Sequence, residues 1–460
     1  MDTNFSRRHF LATIGLGTVG ITTLSRCTKS SAAKKPNFII LFADDMGYGD
    51  PSCFGHPYIR TPNIDKMASE GARLTSFYAG GPVCSPSRAA LLTGRNPIRC
   101  GNPGNYGADS KNGLPEEEIT IAQLLKTVGY KTACFGKWHL GHGEEKYMPT
   151  SRGFDSYYGI LYSNDMKKPY SQTDKPMELM ENLKPVEYPI NQNTLTKRYT
   201  EKAISFINEN KDESFLVYMP YAMPHLPLHA TDGFKEKARA GLYGAVIEEI
   251  DWSVGKILDT LKNLGLDKNT LVLFTSDNGP WNNLPPRMLQ DGVQWWHTGS
   301  TGLLRGSKAT TYEGGMRVPG VVRWPGVIPA ERTIVDLATT MDIFPTVAKL
   351  AGTTIPNDRT YDGNDMLPLL KGTGPSKTNE LYYCHKKSVQ AVRVGPWKYR
   401  LSNSARADKN QFDPVEPELY HLERDCSEHY NVADDHPDLV KELDAKLRAY
   451  AKEVGGRVEG

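Results

Sequence analysis

The sequence has almost no excess of either charge and no cysteine pattern that would hold a metal. Its 55 lysine and arginine residues and 53 aspartate and glutamate residues leave a formal net charge of +2 at pH 7. A nucleic-acid-binding surface needs clustered basic residues, so this balance argues against nucleic acid as a partner. None of the seven cysteines forms a Cys-x-x-Cys pair typical of structural zinc sites. No apolar run is long enough to cross a membrane, so we expect no transmembrane span in the mature chain.

The first residues have the layout of a twin-arginine export signal. Arg7 and Arg8 precede a mildly apolar stretch that extends to Leu24. A disordered basic tail would explain the arginines but not the apolar stretch. We therefore expect residues 1–33 to be a signal for the twin-arginine translocase, cleaved near the small residues at 31–33, and the protein to be periplasmic or secreted. Residues 24–27 resemble a lipoprotein box that Arg26 disrupts, so a lipid anchor is the less favoured alternative.

Beyond the signal, apolar runs alternate with helical patterns. Four runs are near-continuous, as expected of strands buried on both faces of a parallel sheet. They cover residues 37–43, 131–135, 215–219 and 271–274. Between them, apolar residues recur at helical spacing, first behind a predicted cap at Thr120 and again from Val246 to Leu261. This alternation predicts an α/β sandwich.

The composition changes near the C-terminus. Residues 368–377 are rich in proline, glycine, threonine and serine and are predicted to be a linker. Short strand patterns at 389–401 and 418–422 follow, and then an amphipathic helix at 438–454. We therefore divide the mature chain into a large domain at 34–370 and a subdomain at 371–460, which should contain a small antiparallel sheet and a helix.

Residues with side-chain oxygens follow two of the predicted strands. Asp44 and Asp45 come after the first strand, and Asp277 and Asn278 follow the strand at 271–274. Because sites in parallel sheets form at the carboxyl ends of strands, these side chains are expected to converge. Carboxylate and amide oxygens suit Ca²⁺ or Mg²⁺ better than a softer metal. Each pair taken alone would fit a turn or a helix cap equally well.

One cysteine precedes a predicted helix. Residues 84–88 read Cys-Ser-Pro-Ser-Arg, and the helical pattern that begins there has proline in its first turn and Gly94 past its end. Cys84 is therefore predicted to lie at a helix N-terminus, where free N–H groups favour an anion. The pattern alone leaves two interpretations open, a thiol with a lowered pKa or a buried and inert side chain.

The motif Cys84-x-Pro86-x-Arg88 resembles the signature that is converted to formylglycine in the sulfatase family. Other segments resemble motifs of this family along almost the whole mature chain: residues 37–49, 136–141, 275–279, 302–308, 312–315 and 418–422. Within the family, residues 160–165 and the Cys84 loop look closest to arylsulfatase A and N-acetylgalactosamine-6-sulfatase. The resemblance implies an alkaline-phosphatase-like α/β sandwich, with a large mixed sheet flanked by helices and a small C-terminal antiparallel sheet with a helix.

The resemblance also implies roles for individual residues. A formylglycine-generating enzyme would oxidise Cys84 to formylglycine (3-oxoalanine), the nucleophile, beside one divalent cation, Ca²⁺ or alternatively Mg²⁺. The implied metal ligands are Asp44, Asp45, Asp277, Asn278 and the modified Cys84. The other implied roles are Arg88 holding the hydrated aldehyde, Lys137 and Lys308 contacting sulfate oxygens, His139 contacting the alcohol oxygens of the nucleophile, His225 acting on the leaving group, and Ser163 contacting the substrate.

The reaction that the resemblance implies is hydrolysis of a sulfate ester with release of inorganic sulfate. A geminal diol at position 84 would supply one hydroxyl to attack sulfur and a second to expel sulfate, which an ordinary serine or cysteine cannot do. Two alternatives remain: a phosphodiester or phosphonate monoester hydrolase of the same fold, and a catalytically silent glycan-binding homologue.

The substrate is predicted to be a sulfated carbohydrate, because export would bring the enzyme to extracellular polysaccharides. Specificity should lie outside the sulfate pocket, since that pocket meets the same group in every substrate. Candidate sugar contacts are His225, the aromatic loop at 281–297, and His385 with Lys386. For Trp295 and Trp296, stacking on a sugar and packing in the core fit the sequence equally well.

Overall fold

The computed structural model describes residues 35–401 and 417–458. The predicted export signal at 1–33, with its cleavage site and Cys27, lies outside the described residues and stays a prediction. The described residues all belong to one compact unit. A search of the described residues finds no helix that is both long and apolar enough to span a membrane.

The described strands form one large sheet, one short pair and one small sheet. The strands are β1 (Asn37–Ala43), β2 (Ala72–Leu74), β3 (Phe77–Tyr78), β4 (Lys131–Phe135), β5 (Ser156–Gly159), β6 (Leu179–Glu181), β7 (Lys184–Glu187), β8 (Phe215–Pro220), β9 (Thr270–Ser276), β10 (Gly320–Arg323), β11 (Arg332–Ile334), β12 (Ala338–Thr339), β13 (Glu380–His385), β14 (Ser388–Val394), β15 (Trp397–Arg400) and β16 (Glu418–His421). The large sheet has the order β11-β2-β10-β9-β1-β8-β4-β5-β6-β7, β12 pairs with β3, and β13 to β16 form the small sheet.

The four predicted strands form the centre of the large sheet. β1 lies between β8 and β9 and runs parallel to both, and β4 is parallel to β8. Side chains of β1 alternate between two hydrophobic clusters, with Ile39 and Leu41 in one and Phe38 and Ile40 in the other. The prediction of parallel strands buried on both faces is therefore confirmed. The outer strands make the sheet mixed, because β10 is antiparallel to both β9 and β2.

Helices cover both faces of the large sheet. The described helices are α1 (Pro62–Ser69), α2 (Cys84–Thr93), α3 (Ile121–Lys126), α4 (Leu195–Glu209), α5 (Asp232–Lys235), α6 (Gly241–Asn263), α7 (Glu313–Met316), α8 (Ile343–Leu350), α9 (Leu367–Lys371) and α10 (Pro437–Glu453). α4 and α6 contribute Tyr199 and Ile250 to the cluster of Ile39. α2 and α8 contribute Leu91 and Phe344 to the opposite cluster. The expected α/β sandwich is therefore confirmed.

The predicted cap at Thr120 gives a test of local stability. Its hydroxyl accepts a hydrogen bond from Gln123 N at 3.1 Å and donates one to Arg152 O at 2.7 Å, while Thr120 N donates to Gln123 Oε1 at 2.9 Å. Thr120→Ala should lower the free energy of unfolding by about 1 kcal/mol or slightly more, measured by urea denaturation. Thr127→Ala, at the other end of α3, should cost less because its hydroxyl bonds only to Leu124 O within the last turn. Equal losses for both variants would contradict a capping role.

The small C-terminal sheet is antiparallel and packs against α10, as the sequence predicts. Two details of the C-terminal prediction are wrong. The segment predicted as a linker begins with the helix α9, because Pro368 fits its first turn and Gly372, with φ of 71°, ends it. The strand β13 was not predicted, although it forms the edge of the small sheet.

A buried carboxylate joins the small sheet to the rest of the molecule. Glu313 of α7 accepts hydrogen bonds from Tyr78 Oη at 2.6 Å, from Tyr383 Oη at 2.9 Å and from Lys398 Nζ at 3.1 Å. Tyr78 belongs to β3, whereas Tyr383 and Lys398 belong to β13 and β15. The charge of Glu313 is therefore paired and bonded across the junction, which fixes the position of the small sheet.

Candidate active site

The predicted site residues follow the carboxyl ends of neighbouring parallel strands. Asp277 and Asn278 follow β9, Asp44 and Asp45 follow β1, His225 lies five residues beyond β8, Lys137 and His139 follow β4, and Ser163 lies four residues beyond β5. Because β9, β1, β8, β4 and β5 are consecutive in the sheet, one edge brings all of these loops together. The first turn of α2 adds Cys84 and Arg88 to the same edge, and a loop adds Lys308.

The acidic residues pack against one another at this edge. Asp45 N donates to Asp277 Oδ1 at 3.0 Å, and Asn278 Nδ2 donates to Asp45 Oδ1 at 2.7 Å. One ligand atom each from Asp44, Asp45, Cys84 and His225 lie within 4.8 Å of one another. This group includes His225, which was not predicted as a ligand, and does not include Asp277, which was. Asp277 lies beside the group and accepts a hydrogen bond from Arg88.

A divalent cation fits this arrangement of oxygen atoms. Asn278 donates its amide hydrogens to Asp45 and to Gly279 O, while its Oδ1 is buried and has no hydrogen-bond partner among the described residues. Burial, together with the charge of Asp44, raises the pKa of Asp277 to about 7. An unpaired amide oxygen and crowded carboxylates are what a hard cation would satisfy.

Cys84 is the first residue of α2, as predicted, and its side chain is buried. Its Sγ lies 3.5 Å from Asp44 Oδ1. Burial raises the pKa of the thiol well above its ordinary value, although Lys137 and Lys308 act in the opposite direction. The interpretation of Cys84 as a thiolate with a lowered pKa is therefore wrong, and the unmodified side chain is a protonated thiol and a weak nucleophile.

Three buried cations pair with the three carboxylates. Arg88 Nη2 lies 2.8 Å from Asp277 Oδ2 and 3.4 Å from Asp44 Oδ2. Lys137 Nζ donates to Asp44, and Lys308 Nζ lies 2.7 Å from Asp45 Oδ2. The three cationic groups are therefore matched in number by the three carboxyl groups. A bound divalent cation would add two positive charges, which would make the site attractive to an anionic group.

The hydrogen bonds of His139 define the form of its imidazole ring. Its Nε2 lies 2.8 Å from Tyr106 O, so Nε2 carries the hydrogen and donates it to this carbonyl. Nδ1 is then an acceptor, and it is buried without a partner among the described residues. Burial lowers the pKa of His139 well below its ordinary value, and Lys137 and Arg88 lower it further. His139 is therefore a neutral ring with a free Nδ1 lone pair.

His225 and Ser163 lie close to Lys137. Nδ1 of His225 donates to Leu226 O at 2.6 Å, which leaves Nε2 3.3 Å from Ser163 Oγ and 3.6 Å from Asp45 Oδ2. Ser163 Oγ also accepts a hydrogen bond from Lys137 Nζ at 3.2 Å. Ser163 thus connects the Lys137 ammonium group to the His225 ring.

The other candidate sugar contacts, His385, Trp295 and Trp296, are not part of the buried cluster. His385 is the last residue of β13, is half-buried and pairs with Ser388; it is not among the described residues that form the buried cluster. Trp295 and Trp296 are 58% and 72% exposed, so core packing is wrong for this pair. Both can present a flat apolar face to a ligand, which keeps the sugar-stacking prediction open.

Sequence reasoning assigned no individual role to three residues at the mouth of the site. Trp281 lies beside His225, with ring centroids 5.5 Å apart. Asp165 is buried, and Arg287 Nη1 lies 3.3 Å from its Oδ2. Asp165 belongs to the segment 160–165 that resembles a family motif, which was a signal for it. Arg287 lies 122 residues further along the chain, within the loop at 281–297 that was expected to contact a sugar, but no local pattern distinguished it from its neighbours in that loop.

The sequence matches two family models and several known proteins. The family model described as Sulfatase matches residues 36–353, and the model described as N-sulphoglucosamine sulphohydrolase, C-terminal, matches residues 306–453. Human arylsulfatase A is 37% identical over 454 residues, with 90% of this chain and 87% of that protein covered. Human steryl-sulfatase is 37% identical over 444 residues, with 80% and 75% covered.

A solved structure is also similar to this chain over most of its length. The crystal structure of Ps i-CgsB in complex with k-i-k-neocarrahexaose matches with a TM-score of 0.78 and 30% identity, covering 91% of this chain and 93% of that chain. The expected resemblance to arylsulfatase A is confirmed, and the family model spans more than half of the sequence. The chain therefore belongs to the sulfatase family and is a sulfuric ester hydrolase.

Proposed function

We propose that this protein hydrolyses the sulfate ester of a carbohydrate with a formylglycine made from Cys84 and one bound divalent cation. The observation that carries the proposal is the buried cluster in which Cys84 Sγ, three carboxylates and three cationic side chains meet at one edge of the sheet. The ligands proposed for Ca²⁺, or alternatively Mg²⁺, are Asp44, Asp45, Asp277, Asn278 and the modified residue 84.

The proposed reaction needs two groups that the unmodified chain does not contain, a formylglycine at residue 84 and a divalent cation. Once a formylglycine-generating enzyme has acted, residue 84 carries an aldehyde, and the geminal diol that forms when water adds to it supplies a hydroxyl nucleophile in place of a weak thiol. The bound cation supplies positive charge that attracts and polarises sulfate oxygens.

The remaining chemistry is assigned to side chains of this chain. Lys137 and Lys308 bind the sulfate oxygens and offset the negative charge that would repel a nucleophile. Arg88 is held between Asp44 and Asp277, so its guanidinium orients residue 84 from a fixed position. His139 accepts at Nδ1 the proton of the second hydroxyl of residue 84 when this hydroxyl becomes the aldehyde again and expels sulfate, because Nε2 is committed to Tyr106 O.

Protonation of the leaving group is assigned to His225. Burial lowers the pKa of His225, and Lys308 lowers it further, so the ring is neutral before substrate binds. An anionic sulfate bound beside it raises this pKa, and Nε2 can then carry a proton to the departing oxygen. Ser163, 3.3 Å from Nε2, holds the ring in place.

A carbohydrate substrate is supported by the relative that was solved with a carrahexaose and by exposed tryptophans on the loop at 281–297. Export through the twin-arginine translocase, proposed from Arg7 and Arg8, would place the enzyme where such polymers occur. The test is sulfate release, measured by ion chromatography, from a panel of sulfated mono- and oligosaccharides and an aryl sulfate, with alcohol release from a phosphonate monoester measured in parallel. Turnover of the phosphonate or the aryl sulfate without any sulfated saccharide would contradict the proposal.

His385 is proposed to contact the sugar beyond the sulfate group. His385→Ala should lower kcat/KM on a sulfated saccharide by about 10-fold, the effect of one lost hydrogen bond to substrate, and should have less effect on a small aryl sulfate. Steady-state kinetics on the two substrates measures the difference. Equal losses on both would show that His385 acts on the stability or shape of the site and not on the sugar.

A further inference from the structure

Two cationic side chains lie against the ring of Trp281 at the mouth of the site. Lys308 Nζ is 4.7 Å from the ring centroid, and Arg287 Cζ is 5.6 Å from it. Because both distances end at the same centroid, their sum limits the separation of the two cations to about 10 Å. Lys308 is buried beside Asp45, whereas the Arg287 side chain is 48% exposed. A positive group thus faces solvent close to the lysine that is proposed to bind sulfate.

Arg287 is fixed in position and still has free donors. Its Nη1 donates to Tyr170 O at 2.8 Å and lies 3.3 Å from Asp165 Oδ2. Nε and Nη2 make no hydrogen bond to other described residues. The planar guanidinium is therefore held on one side and offers two N–H directions on the other, the geometry that suits a bidentate oxyanion.

Asp165 does not neutralise this group by itself. Burial acts to raise the pKa of this carboxyl, but the neighbouring Lys308 and Lys137 help to lower it, so its charge is shared between Arg287 and these two lysines. The mouth of the pocket therefore keeps a positive charge at Arg287 that the reaction at residue 84 does not use. A substrate with a single charge would leave Nε and Nη2 of this guanidinium without an anionic partner.

We propose that Arg287 binds a second anionic group of the substrate, a sulfate or a uronate carboxylate, on the saccharide whose ester sulfate is bound at Lys308. The inference rests on the proposed function and makes the substrate class narrower, namely a saccharide with at least two anionic groups. A separation of up to about 10 Å suits substituents on one pyranose ring or on two neighbouring units.

The test compares Arg287→Gln with the wild-type protein on matched saccharides with one and two anionic groups. KM for a disulfated or a sulfated, uronate-containing saccharide should rise about 10- to 100-fold, as expected for a lost charge-assisted contact, while kcat changes little. The loss on a monosulfated saccharide should be at least about 10-fold smaller. Arg287→Lys should recover part of the affinity, because it keeps the charge but not the planar fork. The disulfated and uronate substrates distinguish the two sources of the anion.

Arg448→Gln is the matched control. Arg448 is also paired with an aspartate, with Nε 2.8 Å from Asp444 Oδ2, and its side chain is 53% exposed, but it lies on the C-terminal helix. This variant should leave KM unchanged on every substrate. If both arginine variants lost affinity equally, the effect would come from net charge and the proposal would be overturned.

Two further measurements separate the possible failures. Calorimetric binding of the same saccharides to Cys84→Ala protein, with and without Arg287→Gln, does not depend on turnover, so it tests Arg287 even if sulfate hydrolysis is not observed. The double variant Arg287→Gln/Asp165→Asn also removes the carboxylate of Asp165, whose negative charge would repel an anionic substrate if Arg287 no longer offset it. Full recovery of affinity for the doubly charged saccharide in this variant would show that Arg287 only offsets Asp165 and would overturn the proposal.

Discussion

Replacing Cys84 by alanine should lower kcat on every sulfate ester by about 10⁴-fold or more, the loss seen when a covalent nucleophile is removed. The reason is the environment of residue 84 in the site. The unmodified thiol is buried and its pKa is raised well above the ordinary value, so even native cysteine cannot replace the proposed hydroxyl. Protein co-expressed with a formylglycine-generating enzyme should carry an aldehyde at residue 84, detected by peptide mass spectrometry, and its activity should scale with the modified fraction.

Cys100→Ala is the matched control for this variant. Cys84 and Cys100 are each 1% exposed, and Sγ of Cys100 contacts Pro97 O, so both substitutions remove a buried sulfur atom. Cys100→Ala should cost about 1 kcal/mol of stability or slightly more and leave kcat unchanged. Full activity from a preparation that contains only thiol at residue 84 would show that the nucleophile is wrongly assigned.

The sequence was informative where a pattern is repeated and local. Strand β4 and strand β1 have the predicted bounds because continuous apolar runs are rare outside buried strands. The cap at Thr120 was predictable because it needs only residues three apart. Short strands such as β12, with two residues, carry no periodic signal and could not be predicted.

The candidate site was predictable in part for a different reason. Asp44 and Asp277 were expected to converge because each follows a buried strand, but the sequence does not state that β1 and β9 are neighbours, and the pairing of Ala43 with Ser276 is what brings them together. The loop at 281–297 was expected to contact a sugar, but Arg287 could not be singled out within it, since its contacts with Trp281 and Asp165 depend on the path of the loop. Trp295 and Trp296 were ambiguous because tryptophan suits both a core and an exposed binding surface.

Replacing Asp277 by alanine should abolish binding of the divalent cation and lower activity by several orders of magnitude, about 10³-fold or more. The substitution removes one of three carboxylates and leaves the Arg88 guanidinium, 2.8 Å away in the native protein, without its nearest partner. The positive charge of Arg88 would then repel a cation at the same site. Elemental analysis should find about one Ca²⁺ or Mg²⁺ per wild-type chain and none in the variant.

Thermal stability gives a measurement of metal binding that is independent of activity. A ligand that binds only the folded state stabilises it by about 2.7 kcal/mol at a concentration 100 times its Kd, so added Ca²⁺ should raise the Tm of the wild-type protein but not of Asp277→Ala. Asp251→Asn is the control, because Asp251 is also buried but binds Asn63 N and Ile64 N at the start of α1, away from the site. It should lower Tm while the Ca²⁺-dependent rise persists. A Ca²⁺-dependent rise that survives in Asp277→Ala, or active enzyme that contains stoichiometric zinc with neither calcium nor magnesium, would contradict a hard-cation site built on Asp277.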